Sequence, residues 1–192
     1  MEVTFVTTNK AKLEQAREYG KKYGIKIKNR KLELYEKQDK DVRQVVSSKA
    51  LYALSRINAP LFVDDRGFSL PALNGFPGAL VKFVLYDVGV DGIMKLMDGK
   101  KDRRAEFKSS LAFIEPGMKK PKIFTSEEHG FVVDGVRDGN KRGWTDLMNI
   151  YGYEKYMPRA VSELNEDEWK TYQKDVGRGG NIENFMRWLS RR

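Results

Sequence analysis

The stretch EVTFVTTNKAKLEQA, residues 2–16, decides how this chain begins to fold. Polar and apolar residues alternate over Glu2–Thr7, which predicts a short β-strand. Helical spacing then takes over, so we expect a helix at about Lys10–Tyr23 with Asn9 as its N-cap. A strand that leads through a tight turn into a helix is typical of α/β folds.

Two lysines and no acid stand in the turn that starts this predicted helix. A helix N-terminus carries free N–H groups and a partial positive charge, which favour acids. Lys10 and Lys12 add to that field at some cost in stability, and a bound phosphate would offset the cost. The alternative is that both lysines point into water.

The rest of the chain continues the α/β pattern. The apolar run APLFVDD, residues 59–65, predicts a buried strand parallel to the first, because a helix separates the two. Residues 66–80 contain two prolines and three glycines, which predict a series of turns. The other predicted elements are a strand in 25–34, helices at about Val42–Ile57, Glu166–Lys174 and Ile182–Arg191, two short helices in 81–99, and a pair of long strands in 103–117 and 122–133. We therefore expect a single α/β domain over residues 1–192.

Composition excludes several kinds of chemistry. The 192 residues include no cysteine and one histidine, His129, so disulfides, Cys-ligated zinc and multi-histidine metal sites are excluded. His129 falls in a predicted strand, which favours a structural role. No run reaches the roughly 20 apolar residues of a membrane span, and the N-terminus has no signal pattern. We therefore expect a cytoplasmic protein with no membrane partner.

The net charge of +9 bears on the possible ligands. A basic protein can bind nucleic acid, an acidic membrane surface or a phosphorylated small molecule. The charges are spread along the chain, so a solvated, lysine-rich surface is the plainer interpretation of the charge taken alone.

One lysine falls where apolar residues are expected. On a helix over Val42–Ile57, Lys49 lies near the middle of the apolar arc. A buried ammonium is costly unless its head reaches water or meets an anion. Lys49 therefore either extends to the surface or crosses the helix face into a site.

Two acids, Asp64 and Asp65, end the predicted buried strand. Open α/β sheets bind ligands beyond the carboxyl ends of their strands, and carboxylates are the usual protein ligands of Mg²⁺. Neighbours in a strand point to opposite sides, so we expect one metal ligand, Asp65, supported by Asp64. The alternative is that the acids cap the following turn. With lysines nearby, the predicted chemistry is Mg²⁺-assisted attack of water on a phosphate chain.

Two motifs in this order resemble the inosine/xanthosine triphosphate pyrophosphatases, which remove non-canonical purine nucleotides. TTNKAK, residues 7–12, is similar to the T-x-N-x-x-K motif of that family. VDDRGFSLPALNGFPGAL, residues 63–80, resembles its acidic strand end and L-x-G-x-P-G loop. Lys82 then follows where the family has a lysine, and Glu36 matches its acid after the second strand.

The resemblance implies a two-lobed, elongated mixed β-sheet with flanking helices and a central nucleotide-binding cleft, assembled as a homodimer. It implies Mg²⁺-dependent hydrolysis of ITP, dITP and XTP between the α and β phosphates, which gives the monophosphate and pyrophosphate. Glu36 and Asp65 would bind Mg²⁺, and Asp65 would also orient or deprotonate the attacking water. The substrate-binding residues that it implies are Thr8, Asn9, Lys12, Lys49, Lys82, Trp144, Asp146 and Arg178.

The end of the chain departs from the family pattern. Leu147 replaces a proline in the segment that carries Trp144 and Asp146. The purine-reading Ser-His-Arg stretch corresponds to residues 176–178, Val-Gly-Arg, so Arg178 alone is kept. Losing such hydrogen-bond partners weakens discrimination between bases.

Two hypotheses concern how the base is still held. In the first, Tyr151 stacks on the base, and the alternative is that its ring packs in the core. In the second, the glycines at 177, 179 and 180 let backbone amides approach the ligand.

The leading function is therefore a non-canonical purine nucleoside triphosphate pyrophosphatase. The alternative is a basic nucleic-acid-binding or nucleotide-sensing protein that uses the same fold without catalysis. A plain nucleic-acid binder has no need for Glu36 and Asp65 beside lysines, which makes nucleic acid the less favoured partner.

Overall fold

A computed structural model describes residues 1–35, 37–141 and 145–192. These residues form a mixed seven-stranded sheet with six α-helices, which confirms the predicted α/β class. The strands are β1 (Glu2–Val6), β2 (Lys26–Arg30), β3 (Leu61–Ser69), β4 (Pro77–Gly78), β5 (Arg104–Ile114), β6 (Lys122–Val132) and β7 (Tyr151–Gly152). The helices are α1 (Lys10–Lys22), α2 (Val42–Ile57), α3 (Val81–Asp87), α4 (Gly89–Leu96), α5 (Glu166–Gly177) and α6 (Asn181–Leu189).

The strands follow the order β2-β1-β3-β5-β6-β7, and β4 pairs with β3. β1 is parallel to β2, with Glu2 opposite Lys26, and parallel to β3, with Thr4 opposite Leu61. The predicted parallel strand at 59–65 is therefore confirmed. β4 and β7 run antiparallel to β3 and β6, which makes the sheet mixed.

Two predicted strand ends differ most from the structure, each by four residues. β3 continues through Arg66–Ser69, where turns were expected, because Phe68 and Ser69 pair with β4 and Phe68 is fully buried. β2 ends at Arg30 instead of extending to residue 34. Alternation of polar and apolar residues does not show where strand pairing stops.

The described residues divide into two compact units. The first comprises Met1–Arg66, Ser109–Ser126 and Gly179–Arg192, and the second comprises Gly67–Lys108 and Glu127–Arg178. No helix in the described part of the chain is long and apolar enough to span a membrane.

The core of the first unit is built around aromatic rings. Phe5 of β1 stacks on Phe62 of β3 with ring centroids 4.3 Å apart, and Phe185 of α6 lies 4.9 Å from Phe62. Gly20 lets α1 approach β2 closely, since a Cβ there would lie 2.6 Å from the carbonyl oxygen of Ile25. Residues of β1, β3, α1 and α6 thus share one close-packed core.

The core of the second unit contains Phe68, Phe107 and Tyr151. Tyr151 is fully buried, and its ring meets that of Phe107 edge-on at 4.8 Å. The hypothesis that Tyr151 stacks on a base is therefore wrong, because the ring is an integral part of this core. His129 lies on β6 as predicted, where its exposed ring faces Glu106 at 3.6 Å.

Candidate active site

The turn between β1 and α1 has the conformation that the sequence predicts. Asn9 is the N-cap of α1, and its Oδ1 accepts a hydrogen bond from the backbone N–H of Lys12 at 3.1 Å. The backbone N–H of Asn9 donates to Oγ1 of Thr7 at 3.1 Å. Since the cap uses the side-chain oxygen, the NH₂ group of Asn9 is the part that can donate to an anion.

A pocket of about 260 Å³ opens at this turn. Thr8 and Asn9 line it, and Lys10, Arg17 and Lys31 give it positive charge. The other lining residues are Thr7, Leu13, Glu14 and Asn29. The start of α1 thus combines free N–H groups, a hydroxyl and cationic side chains, a set that favours an anionic ligand.

The two aspartates of β3 lie on different sides of the strand. Oδ2 of Asp64 is 2.8 Å from Nζ of Lys12 on α1, whereas Oδ2 of Asp65 is 2.6 Å from Nζ of Lys49 on α2. The expectation from strand geometry is therefore confirmed. The contact with Asp64 shows that Lys12 does not simply point into water, whereas Lys10 is exposed.

The two carboxylates differ in how open they are. The side chain of Asp64 is 6% exposed, and its second oxygen accepts a hydrogen bond from Nδ2 of Asn181 at 2.6 Å. The side chain of Asp65 is 27% exposed, and its Oδ1 accepts from the backbone N–H of Arg66. Asp65 is thus the more accessible of the two to a cation or a water molecule.

Lys49 is buried in the apolar face of α2, as the sequence predicts. Its side chain is 9% exposed, and its ammonium pairs with Asp65. Asp64 and Asp65 lie within β3 and do not end it as predicted, because the strand continues to Ser69. Of the two alternatives for Lys49, extension to the surface is excluded, because the buried ammonium meets an anion, Asp65. Its contact with a ligand stays a prediction.

The residues fit a magnesium ion that is bound together with a phosphate ligand. Within residues 1–35, 37–141 and 145–192, no group of three or more His, Asp or Glu side chains could hold a metal ion alone. Mg²⁺ in phosphate-transfer sites is commonly held by one or two carboxylates plus phosphate oxygens and water, and the partly open Asp65 suits that mode. The other predicted ligand, Glu36, lies outside the described residues.

Three further predicted substrate residues belong to the second unit. Lys82 is exposed in the first turn of α3, and Asp146 is exposed at the start of a 3₁₀ helix, Asp146–Asn149. Arg178 is exposed at the C-terminal end of α5. Trp144 lies outside the described residues. The contacts of these four residues with a nucleotide stay predictions.

Val176 and Gly179, in and next to the segment that replaces Ser-His-Arg, both make contacts within the protein. Val176 packs against the core of the second unit, so it presents an apolar side chain where the family has serine. The N–H of Gly179 donates to Oε2 of Glu183 at 2.8 Å. The hypothesis that this amide approaches a ligand is therefore wrong for Gly179.

Glu183 joins the end of α1 to the start of α6. Its Oε1 accepts from Nζ of Lys22 at 2.7 Å and from the hydroxyl of Tyr23 at 3.2 Å. The ammonium of Lys22 lowers the pKa of Glu183 to about 2, with help from the N–H of Gly179. This buried carboxylate fixes the start of α6, the helix that carries Asn181.

Sequence reasoning did not identify Asn181 or Ser126 as part of this site. The backbone N–H of Asn181 donates to Oγ of Ser126 at 3.1 Å, and its side chain contacts Asp64. An asparagine at the start of a helix is usually a capping residue, so its sequence signal indicated a cap and not a partner 117 residues away.

The sequence of this chain is similar to those of known proteins. Residues 3–174 match the Ham1 family. The dITP/XTP pyrophosphatase of Methanosarcina mazei is 33% identical over 190 residues, which cover 97% of this chain and 96% of that protein. The dITP/XTP pyrophosphatase of Methanopyrus kandleri is 34% identical over 188 residues, or 98% and 96% of the two chains.

A solved structure shares the fold. The HAM1 protein from Coxiella burnetii superposes with a TM-score of 0.85 at 20% identity and with all of both chains covered. The resemblance that rested on the motifs at 7–12 and 63–80 is confirmed by a match over most of the sequence. This chain therefore belongs to the Ham1 family.

Proposed function

We propose that this protein is an enzyme that hydrolyses non-canonical purine nucleoside triphosphates, namely ITP, dITP and XTP, to the monophosphate and pyrophosphate. The names of its relatives support this proposal, since those that are 33% and 34% identical are dITP/XTP pyrophosphatases. Their similarity extends over nearly the whole chain.

One structural observation carries the proposal. Two lysines lie on two consecutive carboxylates of β3. Lys12, in the first turn of α1, lies on Asp64, and Lys49 of α2 lies on Asp65. A phosphate chain needs cations close by, whereas a hydrolytic water needs a carboxylate. This arrangement supplies both within one unit of the fold, and it needs neither cysteine nor histidine.

The residues have separate roles in the proposed reaction. The N–H groups at the start of α1, the NH₂ group of Asn9 and the ammonium of Lys12 bind phosphate oxygens. Asp65 orients the attacking water and takes up its proton at a carboxylate oxygen. Lys49 balances the charge of Asp65 and stabilises negative charge that develops on the phosphates.

The bond changes define the products. The water oxygen forms a bond to the α-phosphorus, and the bond from that phosphorus to the oxygen that bridges to the β-phosphorus breaks. Pyrophosphate then leaves with the bridging oxygen. Mg²⁺, held by Asp65 and Glu36, would neutralise the phosphate oxygens and lower the pKa of bound water.

The same observation argues against the alternative function. Lys12 and Lys49 are 21% and 9% exposed, and both are engaged by carboxylates. A surface that binds nucleic acid through its phosphates presents lysines outward, so the charge of +9 does not by itself favour such a role.

The proposal also includes assembly and location. Phe83 and Tyr86 of α3 are 53% and 90% exposed, and residues three apart on a helix are neighbours on its surface. Exposed aromatic residues of this kind are enriched where chains associate, which supports a homodimer. We place the enzyme in the cytoplasm, where nucleoside triphosphates are used.

Hydrolysis of ITP in water labelled with ¹⁸O tests the proposed chemistry. Attack at the α-phosphorus places one ¹⁸O atom in the monophosphate and none in pyrophosphate, which mass spectrometry of both products measures. A label in pyrophosphate, or release of single phosphate groups, would show that the chain cuts a different bond.

A further inference from the structure

We propose that Asn181 is a positioning residue for Lys12, and that it acts through the carboxylate of Asp64. This inference rests on the proposed function of the same site, because it assumes that Lys12 binds a phosphate group. Asn181 stands at the start of α6, and Lys12 stands in the first turn of α1. Asp64, in the middle of β3, contacts both.

The side chain of Asn181 has one possible orientation. Its Oδ1 accepts a hydrogen bond from the backbone N–H of Ile182 at 2.8 Å. The two ends of an amide are a donor and an acceptor, so this contact assigns the NH₂ end to the opposite side. There Nδ2 donates to Oδ1 of Asp64 at 2.6 Å.

The carboxylate of Asp64 connects Asn181 to Lys12. One carboxylate oxygen accepts from Asn181, and the other lies 2.8 Å from Nζ of Lys12. With both oxygens engaged, the carboxylate plane cannot rotate without breaking one of the two contacts. Removal of the amide would free that rotation, and the ammonium of Lys12 would lose its defined position.

Water is a poor substitute for Asn181 at this place. Asn181 is 7% exposed and the side chain of Asp64 is 6% exposed. The backbone N–H of Asn181 is also tied to Oγ of Ser126, so the start of α6 is held against β6 as well. An unsatisfied buried carboxylate oxygen is costly, which favours a shift of Asp64 toward other donors once the amide is gone.

A double-mutant cycle distinguishes positioning from a merely structural role. The variants are Asn181→Leu, Asp64→Asn and the two combined, and the readouts are the affinity for pyrophosphate with Mg²⁺ by calorimetry and kcat/KM for dITP. Asn181→Leu alone is expected to lower both by about 10- to 100-fold, as for residues that orient a site residue. In the Asp64→Asn background, the same change is expected to have an effect of no more than about twofold.

Asn184 offers a matched control on the same helix. Its Nδ2 donates to the carbonyl oxygen of Gly179, so this hydrogen bond is local to the start of α6. Asn184→Leu is expected to leave both readouts within about twofold of the starting protein. Thermal unfolding of every variant separates loss of fold from loss of positioning.

Independent effects of the two substitutions would overturn the inference, because additivity means that Asn181 does not act through Asp64. If Asn181→Leu does not fold, Asn181→Ser replaces it, since a serine can still accept from Ile182 but is too short to reach Asp64. A protein that binds pyrophosphate but cuts no triphosphate would contradict the proposed function, and the affinities would still decide the role of Asn181. A protein that neither binds pyrophosphate nor cuts dITP would contradict both.

Discussion

The two adjacent aspartates of β3 have different partners because a strand directs successive side chains to opposite faces. Asp64 is enclosed by Lys12 and Asn181, whereas Asp65 meets Lys49 and stays partly open. The sequence predicted that one acid would be a ligand and the other a support. It could not predict Asn181, because a contact across 117 residues leaves no trace in local spacing.

Replacing Asp65 tests its catalytic role. Asp65→Asn is expected to lower kcat by about 10²- to 10⁴-fold, because an amide cannot accept a proton from water. The chain should remain folded, since the amide oxygen can still accept a hydrogen bond from Lys49. Initial rates of pyrophosphate release and circular dichroism are the measurements, with the exposed Asp98→Asn as the control. Near-normal turnover by Asp65→Asn would contradict the assignment.

Replacing Lys49 separates activity from stability. Lys49→Met removes a buried cation from an apolar helix face and leaves Asp65, which is exposed enough to be hydrated. We expect a Tm that is unchanged or higher, together with a loss in kcat/KM of about 10²-fold or more. Calorimetry and kinetics measure the two effects. A large drop in Tm with normal kinetics would mean that the ion pair is structural.

At the level of elements, helices were predicted more accurately than their contacts. The periodic patterns gave α1, α2 and α5 to within a few residues, because an amphipathic face repeats within the element itself. The tie between α1 and α6 through Glu183 was not predicted, since it joins the end of one helix to the start of another 160 residues later. The end of β3 was also missed, because it depends on pairing with β4 and not on the sequence of β3 itself.

The tie made by Glu183 predicts a specific dependence of stability on pH. The pKa of this carboxyl is about 2 in the fold, against an ordinary value of 4.5, because Lys22 and the N–H of Gly179 stabilise its charge. A group whose pKa is lowered by folding contributes stability above its unfolded pKa and loses it as the pH falls toward the folded one. Its contribution is therefore complete above about pH 4.5 and declines toward pH 2.

Urea unfolding of Glu183→Gln across pH measures this contribution. The variant is expected to be less stable by about 1–3 kcal/mol at neutral pH, the range for hydrogen bonds to a charged group. The difference in free energy of unfolding should shrink below about pH 4.5, where the charge of Glu183 begins to contribute less to the stability of the wild type. Glu18→Gln, at an exposed position of α1, is the control. A difference that is the same at neutral and acidic pH would show that the charge of Glu183 does not contribute.

At the level of the whole molecule, the sequence was informative about the family and less so about specificity. Lys12, Lys49 and the two aspartates of β3 lie in the first unit, where each lysine contacts one carboxylate. Lys82, Asp146 and Arg178 lie in the second unit. Because Val176 and Gly177 offer no side-chain donor or acceptor, choice of base is the property that local sequence predicts least.

The exposed aromatic residues of α3 predict self-association. We expect light scattering on the eluting protein to give the mass of two chains, and Tyr86→Glu to shift it toward one chain, because a charge on a buried contact is destabilising. Met157→Glu, at another exposed apolar residue, is the control and should not change the mass. A wild-type protein with the mass of one chain would contradict the proposed homodimer.

The most direct test of the central claim is the rate of pyrophosphate release from ITP, dITP, XTP, ATP and GTP, each measured with Mg²⁺ and with a chelator. We predict Mg²⁺-dependent release that favours ITP, dITP and XTP over ATP and GTP. No pyrophosphate from any of the five, or equal release with the chelator present, would contradict the claim that this chain is a metal-assisted pyrophosphatase of non-canonical purine nucleotides.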